Sequence, residues 1–147
     1  MSSYKHLLKK LPYSEPFLFV DDILEVTDNG IKGAYTYRPD AFFYRGHFKD
    51  HPVTPGVILT ETMAQIGLVC YGLWLFDKDH SEVSGTVALS HTSIDFLKAV
   101  LPGERVEVIS TQEYFRFGKL KCKVKMIDQS QEVVCRGTIS GMLIERI

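Results

Sequence analysis

Gly46-His47-Phe48-Lys49-Asp50-His51-Pro52-Val53-Thr54-Pro55-Gly56-Val57-Ile58-Leu59-Thr60-Glu61-Thr62-Met63-Ala64-Gln65 is the stretch that decides how the chain is read. A histidine-bearing loop runs straight into the start of a helix. Thr54 suits an N-cap and Pro55 the first helical position. From Val57 to Phe76 the only polar interruptions are Thr60, Glu61, Thr62 and Gln65. A helix apolar on nearly every side is a buried helix. A carboxylate inside it needs a reason, because an unpaired buried charge is costly and shifts its pKa instead.

Around that helix the pattern turns to strands. Phe17 to Val26 is rich in β-formers, Asp28-Asn29-Gly30 is a hairpin turn, and Ile31 to Tyr37 follows as its partner. Asp40 to Tyr44 predicts a short helical turn whose aromatics wall a pocket or pack on the core. Asp77 to Gly85 reads as a polar loop. Beyond it, Thr86 to Phe96 and Arg105 to Phe117 read as strands, with Gly118 allowing a tight connection. Leu120, Cys122, Val124 and Met126 then alternate with Lys121, Lys123 and Lys125, a half-buried strand with a basic outer face. Asp128 to Gln131 turns the chain into a last strand from Val133. The pattern predicts an α+β domain over residues 1–147: about six antiparallel strands curled around one long central helix. The strand order does not follow from the sequence.

Composition narrows the function. A net charge of -1 with no groove-reading motif argues against nucleic acid. The central helix is long enough to span a bilayer, but a mid-span Glu61 and the β-rich remainder favour a core helix, so no membrane partner is expected. Cys70, Cys122 and Cys135 form no CxxC and lie in apolar runs, which reads as buried thiols in a reducing, cytoplasmic setting. Residues 1–16 carry no secretory pattern. His47 and His51 sit four apart, but Gly46 and Pro52 oppose a helix there, so no metal site is expected. His6, His80 and His91 have no evident partner and read as surface or satisfied histidines.

The chemistry concentrates at the helix start. The first-turn N–H groups lack intrahelical partners and lie at the positive end of the helix dipole. Gly56 exposes one of them to a developing oxyanion. Glu61 lies five residues on, about 7.5 Å along the axis, and Gln65 is one turn further on the same face. The amide is placed to fix the carboxyl rotamer, and an apolar setting raises the carboxyl pKa so that it acts as an acid. His47 is the natural base. A base, a protonated carboxyl and an oxyanion donor suit proton removal α to a carbonyl and loss of a β-hydroxyl as water.

Gly46-His47-Phe48-x-x-x-Pro52-x-x-Pro55-Gly56-Val57-x-x-x-Glu61-x-Met63-Ala64-Gln65 resembles the signature of FabZ-type 3-hydroxyacyl-[acyl-carrier-protein] dehydratases. The likeness extends to Leu11-Pro12 with Pro16-Phe17-Leu18-Phe19-Val20-Asp21, to Asp95-Phe96-Leu97-Lys98 with Pro102-Gly103-Glu104, and to Val133-Val134-Cys135. It implies a hotdog fold and a homodimer with two shared active sites, each pairing His47 of one subunit with Glu61 of the other. Trimers of such dimers are common in the family. It also implies His47 as base at Cα, Glu61 acting on the departing hydroxyl, Gly56 N–H on the thioester oxygen, Gln65 supporting Glu61, and no metal or other cofactor. The related FabA type, which also isomerises the double bond, has Asp where this chain has Glu61, so dehydration alone is expected.

Phe42, Phe43, Tyr71, Trp74 and His91 are candidates for lining the acyl tunnel. Lys98, Lys121 and Lys123 are candidates for docking an acyl carrier protein, the expected partner. The chain departs from the family where Lys49-Asp50 replaces a common Pro-Gly, where Asp95-Phe96-Leu97-Lys98 replaces a basic run, and where Tyr13-Ser14 replaces His-Arg. A thioesterase using Glu61 as base or nucleophile, or a non-catalytic partner subunit, are the alternatives.

Overall fold

The computed structural model describes residues 4–78 and 85–145, with no side-chain description for Lys78 and Glu145. Most of the expected loop from Asp77 to Gly85, with His80, therefore lies outside the described residues. A short helix α1 (Lys5–Lys10) precedes β1 (Asp22–Thr27) and β2 (Gly30–Thr36), and a 3₁₀ turn follows at Phe42–Arg45. The central helix starts as α2 (Gly56–Ala64), widens to π winding over Gln65–Cys70, and continues as α3 (Tyr71–Lys78). Four long strands follow among the described residues: β3 (Gly85–Phe96), β4 (Arg105–Arg116), β5 (Lys119–Ile127) and β6 (Val133–Glu145).

The six strands form one sheet in the order β1-β2-β4-β5-β6-β3, with every neighbouring pair antiparallel. Three of its five pairings are hairpins, and the chain crosses over to place β3 at one edge. The sheet curls around the central helix. Met63, Ile66, Leu68, Val69 and Cys70 of the helix are buried against Val108, Leu120, Cys122, Val124, Met126 and Ile139 of the strands. The helix is apolar and long enough to cross a membrane by length and composition, yet most of it is buried inside this core. Val57, at its start, is the clear exception at 76 % exposed.

The π winding falls where the helix packs closely on the sheet. Ser110 of β4 donates a hydrogen bond to the Gly67 carbonyl at 2.9 Å, and a Cβ at position 67 would stand 2.9 Å from that of Ser110. π winding frees carbonyls from the regular ladder, and a sheet hydroxyl takes one of them. The three thiols are buried in the same core. Desolvation pushes Cys122 up to about 11, Cys135 to about 12, and Cys70 further still, so none is a nucleophile near neutral pH.

Two local expectations are corrected. Phe17 to Val20 is not strand, because β1 begins only at Asp22. Its backbone binds a helix side chain instead of a neighbouring strand, as described below. Thr54 is not the N-cap, since the cap position is Pro55 and, among the described residues, no side chain caps the helix. The Thr54 hydroxyl is buried and hydrogen-bonds Tyr44 Oη at 2.5 Å, while its N–H donates to the Val100 carbonyl at 2.9 Å. The Phe117–Gly118 connection is a tight turn with both residues at positive φ, 54° and 73°.

Candidate active site

The His47 loop is closed by a reciprocal clamp. The Val53 N–H donates to the His47 carbonyl at 2.9 Å, and His47 Nδ1 lies 2.9 Å from the Val53 carbonyl oxygen. A carbonyl accepts only, so Nδ1 carries the proton and donates. That leaves Nε2 with its lone pair, the tautomer a general base needs. The ring stacks on Phe48 with centroids 4.0 Å apart. His51 exchanges backbone hydrogen bonds with Phe48, so it serves the loop's turn.

Ile58 and Leu59 make the first intrahelical bonds of α2, both to the Pro55 carbonyl. The Gly56 and Val57 amides lie ahead of those bonds, at the end that attracts negative charge. Gly56 has no side chain, but the space is used. A Cβ there would stand 3.2 Å from two ring carbons of Phe96.

Glu61 is half-buried, and burial raises its pKa above the ordinary value, partly opposed by a hydrogen bond from Gln65. Gln65, wholly buried, makes three bonds with one amide. Its Nε2 donates to Glu61 Oε2 at 3.0 Å and to the Phe17 carbonyl at 3.1 Å, while its Oε1 accepts from the Phe19 N–H at 2.8 Å. Both amide protons and the carbonyl are committed, so the amide cannot turn over and the carboxyl is held in one rotamer. Glu61 Oε1 has no hydrogen bond among the described residues and remains open to a reacting group. His47 and Glu61 do not hydrogen-bond each other within one chain.

The other candidate residues divide. Phe43 packs against the core, 6.3 Å from Phe19 and 4.6 Å from Tyr44 between ring centroids, whereas Phe42 is half exposed. Tyr71 is wholly buried; its hydroxyl donates to the Asp28 carbonyl at 2.9 Å and accepts from Gln112 Nε2 at 3.0 Å. It tethers the helix to the β1–β2 turn and leaves no free surface to line a channel in a single chain. Trp74 stacks on it at 6.2 Å. His91 is exposed on β3 opposite Ser140. Of the docking candidates, Lys98 is ion-paired to Asp128 at 2.5 Å and Glu132 at 3.1 Å. Lys121 and Lys123 flank Glu113 at 3.5 and 4.0 Å.

Two residues escaped the sequence reading. Tyr13 is half-buried, and its phenol is pushed up to about 12, first by burial and then by the charge of Glu61. The signal was there in Tyr13-Ser14, where the family has His-Arg. Phe96 stands in the Asp95-Phe96-Leu97-Lys98 segment that resembles the family, but nothing in that segment says that its ring packs against Gly56.

A FabA-like domain model matches residues 11–135, which span this whole arrangement. The chain belongs to the FabZ-type dehydratases of the FabA-like family. It is 36 % identical over 145 residues to the 3-hydroxyacyl-[acyl-carrier-protein] dehydratase FabZ of Caldicellulosiruptor bescii, covering 95 % of this chain and 96 % of that protein. To the FabZ of Anaplasma marginale it is 34 % identical over 117 residues, 77 % of this chain and 78 % of the relative. The dehydratase heterocomplex ApeI:P from Xenorhabdus doucetiae contains a chain of the same fold, with a TM-score of 0.79 at 15 % identity over 95 % of this chain and 91 % of that one. The fold is therefore hotdog, the sheet wrapped around the helix that carries Glu61.

Proposed function

We propose that the protein catalyses the reversible dehydration of a 3-hydroxyacyl thioester, carried on an acyl carrier protein, to the trans-2-enoyl thioester and water in fatty-acid or related synthesis. The observation that carries the residue roles is the fixed polarity of the two side chains: His47 with Nδ1–H spent on Val53, and Glu61 with one oxygen spent on Gln65. Each offers its remaining atom to a substrate.

His47 Nε2 takes a proton from C2 of the acyl group. The C2–H electrons form the C2=C3 bond as the C3–O bond breaks, and protonated Glu61 gives its proton to the departing hydroxyl, which leaves as water. The imidazolium and carboxylate then exchange protons with solvent to reset. During proton removal, negative charge grows on the thioester oxygen, and the Gly56 N–H at the helix start is the donor placed to hold it. Burial of Glu61 favours the protonated form this step requires.

The active unit is a homodimer formed through β3. That strand is twelve residues long, lies at the sheet edge, and exposes Leu89 and Phe96. A long uncovered edge is a template for pairing with another strand. In this dimer His47 of one protomer would work with Glu61 of its partner, which suits two side chains that share no hydrogen bond within one chain. The buried, unreactive thiols suit a cytoplasmic setting.

The test follows enoyl-thioester absorbance with the wild type, His47→Ala and Glu61→Gln. Hydration by the wild type alone, without free thiol, is the expected result. Release of thiol would make the protein a thioesterase, and no reaction on carrier protein or coenzyme A would point to a subunit that needs a different partner. Mixing the two inactive variants should restore about a quarter of wild-type activity, because half of the dimers are mixed and each holds one intact site. No recovery after mixing would place both residues in one chain's site.

A further inference from the structure

Position 56 is glycine for a reason beyond the helix start. The Phe96 ring lies on it, with two ring carbons 3.2 Å and a third 3.5 Å from where a Cβ would be. An alanine at this position would push against that ring, since contacts this close are rare for real Cβ atoms. The ring is nevertheless 50 % exposed, so part of it packs against Gly56 and part faces outward at the helix start.

The backbone around Phe96 is pinned. Phe96 pairs with Cys135 in the β3–β6 register, Leu97 and Lys98 both donate their N–H to the Val134 carbonyl, and Val100 accepts from the Thr54 N–H. The segment after β3 is thus tied to β6 on one side and to the residue before Pro55 on the other. The ring and the helix start form one rigid corner.

We propose that Phe96 is a positioning residue for the dehydration: its ring walls the Gly56 N–H, keeping water from the thioester oxygen and holding that oxygen in line with the amide. This rests on the dehydratase reading. A donor aimed at a developing oxyanion is worth most where water is excluded, and Gly56 itself is only partly buried. A half-exposed aromatic beside a polar donor supplies one dry side of such a site, and the bound acyl thioester supplies the other.

The experiment measures kcat and KM for enoyl-thioester hydration with Phe96→Ala, Phe96→Leu, Gly56→Ala and the Gly56→Ala/Phe96→Ala double variant. Melting temperature and oligomer mass are measured on each, since Phe96 ends the edge strand. Phe96→Ala should lower kcat about tenfold with KM changed less than about threefold, with folding and assembly retained, and leucine should restore most of the loss. Gly56→Ala should lose more, because its methyl displaces the ring. Adding Phe96→Ala to it should cost less than Phe96→Ala costs alone, the signature of two groups acting as one. Wild-type kcat in Phe96→Ala, additive losses in the double variant, or a kcat loss matched by loss of folded dimer would each overturn the proposal. An inactive wild type would overturn the dehydratase reading itself, and is seen before any variant is compared.

Discussion

The central helix carries one wholly buried polar side chain, Tyr71, and one half-buried near its start, Glu61, and it treats them differently. Near the C-terminal end, the Tyr71 hydroxyl both donates to Asp28 and accepts from Gln112. Near the N-terminal end, Glu61 receives one hydrogen bond from Gln65, and its second oxygen meets no donor among the described residues. Glu61 is only half-buried, so its second oxygen is accessible, and it is the one available to a reacting group. A satisfied group holds the fold; a half-satisfied one is available for chemistry.

The largest effects that follow from this contrast are on turnover. His47→Ala or Glu61→Gln should lower the hydration rate by about 10²–10⁴-fold, as expected for loss of a general base or acid, with the melting temperature within a few degrees of wild type. Near-wild-type rates in either variant would break the contrast at its functional end. Next comes Gln65→Leu, which sits on both sides of it. Leucine leaves the buried Phe19 N–H without its partner, takes the donor from the part-buried Phe17 carbonyl and frees the Glu61 rotamer. Stability should fall by about 2–4 kcal/mol, and turnover should fall as well. Loss of stability with unchanged kcat in the folded fraction would make Gln65 purely structural.

Tyr71→Phe is the opposite case. It removes one hydroxyl and two hydrogen bonds far from the reacting groups. Denaturant unfolding should show a loss of about 1–3 kcal/mol, while kcat and KM stay put. A drop in turnover exceeding the loss of folded protein would show that the tether, too, reaches the site.

How much of this was readable from residues alone follows the range of each interaction. The central helix, the Asp28-Asn29-Gly30 hairpin and the alternation of β5 are local patterns, and the structure reproduces them. The His47, Glu61 and Gln65 spacing was equally local. What stayed hidden depended on partners distant in sequence. Strand β3 lies next to β6 and not next to β4, its neighbour in sequence. Thr54 looks like a cap but finds Tyr44. Phe17 to Val20 looks like strand but gives its hydrogen bonds to Gln65, 46 and 48 residues away along the chain. Tyr71 reads as a tunnel residue because its type is aromatic and its neighbours are apolar; only the fold supplies Asp28 and Gln112.

The smallest effect is a pH dependence that sharpens the contrast without any substrate. Burial raises the Glu61 pKa above its ordinary 4.5, so the native state holds this proton more tightly than the unfolded chain does. Below pH 4.5 both states are protonated, and the carboxyl carries its full stabilising share. As pH rises through the raised native value, the unfolded chain has already released the proton and that share is lost. Glutamine cannot ionise, so Glu61→Gln escapes the loss. The stability of Glu61→Gln relative to wild type should therefore climb as pH goes from about 4 toward neutral, as measured by denaturant midpoints at matched ionic strength. Tyr71→Phe should show no such slope in that range, because a phenol whose pKa is raised above 10 stays protonated throughout. A flat difference for Glu61→Gln would mean that its carboxyl is as well solvated in the native state as in the unfolded one, and the two ends of the helix would then differ in hydrogen-bond count alone.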